Sequence, residues 1–373
     1  MEWAKALQLF LNRSSLQRYP QRNKELLQAW DSADELILQY LSKMELKGKK
    51  ILILNDHFGA LTCALSDLEV TAYTDSFVSF QSIQRNIQNL NHPLFRLIHQ
   101  LNDLEGIYDL VLIRIPKNQS FLEDILCHIS HHLHSESQIV CGVMIKHLAP
   151  QSFTLLNQYI GPTHTSLAQK KARLLFSSFK GKQSESPYPL QIEIKSFETP
   201  ILNHSNLFSR EKLDIGTRFF LDHIPKGNYK TILDLGCGNG LLGITAKKMN
   251  PSAQIIFSDE SQMAIQSAMA NFNHLFPSER EQPIFKWTHC FENEAPCSVD
   301  LVLCNPPFHQ GHSLNNGIAQ QMFRDSHRVL TQEGVLRVIG NSHLNYPLIL
   351  SKWFRKTKIV ARNNKFTVTD AVK

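Results

Sequence analysis

The sequence predicts an α/β chain of two tandem halves, each a mostly parallel sheet covered by helices on both faces. Short apolar strand-like runs alternate with amphipathic helical patterns along the chain, and that alternation is the mark of βαβ units. One pattern occurs twice, with three landmarks in the same order at separations of 181 residues (Ile53 to Asp234), 184 (Asp75 to Asp259) and 191 (Arg114 to Asn305). The length of 373 residues is also about two domains of chain, at roughly 100–200 residues each. The boundary is expected in the polar stretch 181–189, giving domains 1–185 and 186–373.

The elements follow in order. Lys50 to Leu61 and Thr231 to Leu242 each read as an apolar β-type run, a turn and the start of a helix. About twenty residues later an acid ends another strand-like run, in Tyr73-Thr74-Asp75 and in Phe257-Ser258-Asp259. Amphipathic helices are expected from Phe77 to Leu90 and from Ser261 to His274. Further strands run from Tyr108 to Pro116 and from Val299 to Pro307. Any one pair alone carries little, because βαβ units look alike. Three in register argue for duplication.

Composition sets the outer limits. Hydrophobic residues make up 42%, enough for two cores, and charged residues 19%. Lys and Arg number 39 against 33 Asp and Glu, a net +6, which excludes an acidic disordered chain and a histone-like polycation. No run approaches the ~18 apolar residues of a membrane span, and the first residues lack a signal-peptide layout. The seven cysteines are scattered without a CxxC pair, so reduced thiols and a cytoplasmic location are expected. Cys127, His128, His131, His132, His134 and Cys141 cluster in sequence, yet nothing completes a known ligand spacing. A solvated histidine-rich face, with no metal, is the expectation there.

The two copies differ in chemistry. The second carries Asp234-Leu235-Gly236-Cys237-Gly238-Asn239-Gly240 between a strand and a helix. Glycines there allow a tight turn and close approach to a ligand, at the carboxyl ends of the strands where open α/β sheets bind ligands. Asp259, ending the next strand, can take two ribose hydroxyls. Gly238, Gly240 and Gly243 also match a dinucleotide fingerprint. Asp234 argues against that reading, because a carboxylate would repel a pyrophosphate and attract a cationic methionyl amine. The pattern is similar to the S-adenosylmethionine motif of class I methyltransferases.

Asn305-Pro306-Pro307-Phe308 follows a strand. The prolines fix the chain and supply no amide donors. The Asn305 side-chain oxygen and the Pro306 carbonyl can accept hydrogen bonds from one planar NH2 group, and Phe308 can stack on a flat base. In the first copy Ile53 replaces Asp234, Asn55 and His57 replace Gly236 and Gly238, and Arg114-Ile115-Pro116 replaces Asn305-Pro306-Pro307. That half should not methylate.

Asn305 to His309 resembles the bacterial rRNA guanine-N2 methyltransferases, and the resemblance runs the length of the chain. It includes Leu16 to Pro20, Leu27 to Asp34, Leu54 to Ala60, Lys170 to Leu174, Asn206 to Gly216 and Asn363 to Phe366. These stretches are similar to the large-subunit branch rather than the small-subunit one. The resemblance implies two tandem Rossmann-like class I methyltransferase domains with seven-stranded sheets, the first degenerate. It implies S-adenosylmethionine as cofactor and the N2 amine of a guanine in 23S rRNA as target. It also implies that Asp214 and Gly216, with Thr217, close over the methionine end of the cofactor; Asp214 reads equally as a helix cap. His289 stands where relatives often place Asn or Asp near the adenine, and His309 is a second polar group of the loop. From Ser137 to Ser184 there is no acid, against Lys146, Lys170, Lys171, Arg173, Lys180 and Lys182, a stripe that can hold RNA phosphates. A monomer without membrane contact is expected. Competing readings are methylation of another planar amine (small-subunit guanine N2, adenine N6 or protein glutamine) and a non-catalytic RNA chaperone.

Overall fold

The computed structural model describes residues 16–21, 25–88, 90, 94–195, 197, 199–307 and 313–373, excepting the side chains of 313–316. The chain divides into two compact units, Met1–Tyr188 and Pro189–Lys373. In the first, strands β1 (Lys50–Leu54), β2 (Glu69–Tyr73), β3 (Phe95–Ile98), β4 (Tyr108–Arg114), β5 (Leu133–Met144), β6 (Thr163–Thr165) and β7 (Ala172–Ser178) form one sheet in the order β3-β2-β1-β4-β5-β7-β6. The strands pair in parallel except at β7, which runs antiparallel to both β5 and β6. The second unit opens with a ribbon of β8 (Leu190–Ile192) and β9 (Ile201–Asn203). Its sheet takes β10 (Thr231–Leu235), β11 (Gln254–Asp259), β12 (Ile284–Trp287), β13 (Val299–Cys304), β14 (Leu330–Asn341), β15 (Lys356–Arg362) and β16 (Phe366–Val372) in the order β12-β11-β10-β13-β14-β16-β15. The two orders are the same, strand for strand.

The central strands are apolar throughout because helices cover both faces. Ile51 to Leu54 and Leu301 to Cys304 are all fully buried. Helices α1 (Ser32–Leu41), α2 (Ala60–Ala64), α3 (Phe77–Ile87), α4 (Gln119–Ser130) and α5 (Pro150–Tyr159) serve the first sheet. Helices α6 (Ile215–Leu221), α7 (Leu241–Met249), α8 (Gln262–Leu275), α9 (Ser313–Val329) and α10 (Tyr346–Leu350) serve the second. In the second unit one core joins Leu233, Val302, Phe323 and Leu336, and another joins Phe220, Ile232, Phe257 and Leu301. Serines at matched positions start matched helices: Ser76 accepts from the Ser79 amide at α3, and Ser261 from the Ala264 amide at α8.

Side chains repeat the duplication more closely than the sequence does. Asn86 Oδ1 accepts from the Gln17 amide at 3.0 Å, and its Nδ2 donates to the carbonyls of Gln17 and Phe58 at 2.9 and 2.8 Å. In the second unit Asn271 accepts from the Leu202 amide at 2.7 Å and donates to the carbonyls of Leu202 and Asn239 at 2.9 and 3.0 Å. The Tyr19 amide donates to Ser82 Oγ, as the His204 amide donates to Ser267 Oγ. In each unit one asparagine therefore ties an incoming segment and the ligand-side turn to the same helix.

Candidate active site

Strand β10 delivers Asp234 to the carboxyl end of the second sheet, and the turn 236–240 follows. Gly236, Gly238 and Gly240 all have positive φ, at 73°, 54° and 83°. At Gly240 a Cβ would also sit 3.0 Å from that of Ala268, so this position needs glycine twice over. The turn hangs from β11, where the amides of Gly236 and Cys237 both donate to the Ser258 carbonyl, at 2.8 and 3.0 Å. Asp259 Oδ2 accepts from the Gly238 amide at 2.9 Å and Oδ1 from the Ser261 amide at 3.0 Å. A carboxylate oxygen can accept from more than one donor.

Asp234 is fully buried. Its Oδ2 accepts from the Gly243 amide at 2.8 Å, and its Oδ1 is buried without a partner. Burial pushes the carboxyl up to about 8, opposed by the Gly243 hydrogen bond and reinforced by the Asp259 charge. A buried carboxylate with one open oxygen is costly unless a donor or a cation meets it. S-adenosylmethionine fits: its ammonium can meet Asp234, its ribose Asp259, and its backbone-hugging path the glycine turn.

Beside β10, Asn305 follows the last residue of strand β13, with Pro306 buried and Pro307 exposed. Asn305 Nδ2 donates to Thr217 Oγ1 at 3.1 Å, while Asn305 Oδ1 is buried without a partner. Thr217 in turn leans on Asp214, whose Oδ2 accepts from the Thr217 amide at 2.9 Å and from its hydroxyl at 3.4 Å. Asp214 is the N-cap of α6, and Gly216 gives the helix room, since a Cβ there would meet the Phe366 ring at 3.1 Å. These three residues thus bear on the strand-end amide: the contact with Asn305 faces its NH2 away and leaves its oxygen open. His289 follows β12, with its ring 3.8 Å from Cys290 Sγ. Phe308 and His309 lie outside the described residues.

The first unit keeps this frame and changes its chemistry. Asn55 takes the left-handed conformation of Gly236, with φ 62°, and Gly59 that of Gly240, with φ 88°. Buried Ile53 stands in place of Asp234. Arg114 is the last residue of β4, where Asn305 is the first after β13, and it also reaches the helix cap in front: its guanidinium pairs with Asp34 and, at 2.9 Å, with Asp31, the N-cap of α1. An amide-to-hydroxyl contact in one unit is a buried ion pair in the other. Arg18 lies over the Phe58 ring at 4.8 Å, closing residues 16–20 onto the turn. Asp75 is 2% exposed.

The six cations expected to form one stripe fall at two ends of the first sheet. Lys146 follows β5, and Lys170 and Lys171 precede β7, at the carboxyl ends of the parallel strands. Antiparallel β7 then carries the chain back, so Lys180 and Lys182 emerge at the other end, roughly 25 Å away at ~3.3 Å per residue. Lys170 is paired with Glu35 at 2.8 Å, and Arg173 is half-buried. A second acid-free stretch, shorter but with seven cations, runs from Gly334 to Thr369 in the second unit. The Thr217–Asn305 contact was missed, because its partners are 88 residues apart.

Comparison with known proteins finds two family matches along the chain. Residues 4–181 match the RLMG N-terminal domain family, and residues 198–370 the methyltransferase small domain family. The chain is 41% identical over 367 residues to "Ribosomal RNA large subunit methyltransferase G" of Psychromonas ingrahamii, covering 96% of each chain. It is 42% identical to the protein of that name from Aliivibrio fischeri, covering 97% of each, and 42% identical to that from Stutzerimonas stutzeri, covering 95% of this chain and 96% of the other. Among solved structures, the T. thermophilus 16S rRNA N2 G1207 methyltransferase (RsmC), in complex with AdoMet and guanosine, superposes with a TM-score of 0.74 over 92% of each chain at 18% identity. That likeness is one of fold: two tandem class I methyltransferase domains.

Proposed function

The chain belongs to the ribosomal RNA large subunit methyltransferase G family, and from that premise we propose that it transfers a methyl group from S-adenosylmethionine to the exocyclic N2 amine of a guanine in 23S rRNA. The observation that carries this reading is the pair of buried, unpartnered acceptors, Asp234 Oδ1 and Asn305 Oδ1, at the ends of adjacent strands. One suits the ammonium of the cofactor, the other the amine of the base. The resemblance of residues 305–309 to guanine-N2 enzymes supports guanine over other planar amines.

The bound cofactor supplies a methyl group already activated on a sulfonium. The protein's part is position. Asn305 Oδ1 accepts one N–H of the N2 amine and the Pro306 carbonyl the other, which holds the amine and turns its lone pair toward the methyl donor. The rigid Pro306-Pro307 pair keeps these acceptors fixed. Phe308 is assigned to stacking on the base. The amine's excess proton leaves to water, so no strong base is required. A guanine in a helix must first leave its stack, at a cost of a few kcal/mol.

Thr217 and Asp214 keep the Asn305 amide the right way round. Thr217→Val is expected to lower methyl transfer about tenfold, the loss of one hydrogen bond of about 1.4 kcal/mol, with cofactor affinity unchanged. Thr217→Ser should restore most of the rate. A uniform effect on cofactor binding would point to the cofactor instead.

The first unit, which keeps the frame without the acceptors, is assigned to gripping RNA. Exposed Lys146 and Lys171 at the carboxyl end of its sheet support this. A cytoplasmic site of action is supported by seven free cysteines, of which only Cys297 is exposed. No helix among the described residues is long and apolar enough to cross a membrane. The direct test is incubation with tritiated S-adenosylmethionine and either 23S rRNA, 16S rRNA or assembled subunits. Label in 23S rRNA is expected, and label confined to 16S rRNA or to protein would overturn the assignment.

A further inference from the structure

A polar cavity lies one strand away from Asn305. It has a volume of about 360 Å³ and is walled by Asn341, His343, Tyr346, Ile359, Arg362 and Thr367, among others. That is near the lower end of the ~300–1,000 Å³ usual for small-ligand sites, room for a single nucleotide. Strands β13 and β14 are parallel neighbours with Cys304 opposite Val338, so Asn305 and Asn341 come off the same end of the sheet. Three residues of rise and one strand spacing separate Cys304 from Asn341, roughly 11 Å in all. The cavity has a built floor: Gly340 lacks a side chain where a Cβ would meet the Tyr346 ring. On its wall Asn341 Oδ1 is buried without a partner.

The chain segment that lines it is basic. Between Gly334 and Thr369 there is no acid, and the cations are Arg337, Lys352, Arg355, Lys356, Lys358, Arg362 and Lys365. Arg337 is committed to Asp370 at 2.6 Å and Arg355 to Glu333 at 2.7 Å. Arg362 lines the cavity, is exposed and has no ion pair among the described residues. An arginine fork beside an open amide acceptor and an exposed imidazole suits a phosphate joined to a base.

Resting on the RNA reading above, we propose that this cavity is a subsite for a nucleotide flanking the target guanine, with Arg362 on its phosphate and Asn341 and His343 toward its base. Its task is to splay the strand so that the target base enters the site at Asn305.

The test is Arg362→Ala, compared with Lys226→Ala, which removes an exposed cation that precedes β10 at the opposite end of the sheet. For Arg362→Ala the KM for 23S rRNA is expected to rise about tenfold, with S-adenosylmethionine affinity unchanged. The slope of log affinity against log salt should shrink by about 0.7–0.9, one phosphate contact. Arg362→Lys should keep the salt slope and recover part of the KM. An unchanged KM, or an equal loss in Lys226→Ala, would overturn the subsite in favour of a diffuse positive field. Direct binding of a labelled 23S rRNA fragment separates the two proposals. A wild-type protein that binds the fragment but does not methylate it contradicts the assigned activity, and the subsite is then judged by whether Arg362→Ala weakens that binding.

Discussion

Asn305→Ala is expected to lower methyl transfer to 23S rRNA about a thousandfold, while S-adenosylmethionine binds as before. The size follows from losing a preorganised hydrogen-bond partner at the reacting atom. The selectivity follows from the geometry. The amide's NH2 is spent on Thr217, so its open oxygen faces the substrate rather than the cofactor's anchor at Asp234. The alanine variant should fold, because it gives up a single hydrogen bond, to Thr217, and an acceptor that has no partner in the free protein. Calorimetry with the cofactor and a thermal unfolding scan check both points, and retained turnover would take Asn305 out of the reaction.

Asp234→Ala should weaken S-adenosylmethionine binding on the order of a hundredfold, as expected when one partner of a buried charged contact is removed. The same carboxyl sets a pH dependence. In the cofactor-free protein burial holds it protonated below about 8. A cationic ammonium favours its ionised form, so cofactor binding at neutral pH displaces a proton. Affinity should therefore rise as pH is raised toward about 8, and calorimetry in buffers of different ionisation enthalpy should register the released proton. Asp234→Asn should abolish that linkage. A pH-independent affinity in the wild type would contradict the assignment of Asp234 to the ammonium.

Much of this was legible in the sequence, for a local reason. The strand–turn–helix units, the glycine turn and the Asn305-Pro306-Pro307 end are set by residues within a dozen positions of one another. Asp214 was also readable as a helix cap from its neighbours, and it does cap α6. What escaped is made by residues far apart in the chain. Neither the hold of Thr217 on Asn305 nor the matching hold of Asp31 and Asp34 on Arg114 has a local signature. The hydrogen bonds that tie Gln17 to Asn86, Tyr19 to Ser82, Leu202 to Asn271 and His204 to Ser267 also span more than sixty residues each. The basic stripe was misjudged in layout because one antiparallel strand, β7, turns a linear run of cations into two separate groups.

These long-range contacts also explain how one half lost its chemistry without losing its fold. The strand-end residue still ties β4 to the cap of α1, as β13 is tied to α6. The tie is now a buried Arg114 with two carboxylates, which leaves no free acceptor for an amine. Breaking such a pair by removing one member costs about 3–5 kcal/mol, so the replacement binds the first unit's fold to its own silence.

The central claim is that the second unit methylates guanine N2 through the open oxygen of Asn305. The most direct measurement is mass spectrometry of nucleosides from 23S rRNA incubated with S-adenosylmethionine and either the wild-type chain or Asn305→Ala. One new N2-methylguanosine with the wild type, and none with the variant, is the predicted result. A methyl group on another atom or base, or an equal yield from the variant, would contradict it.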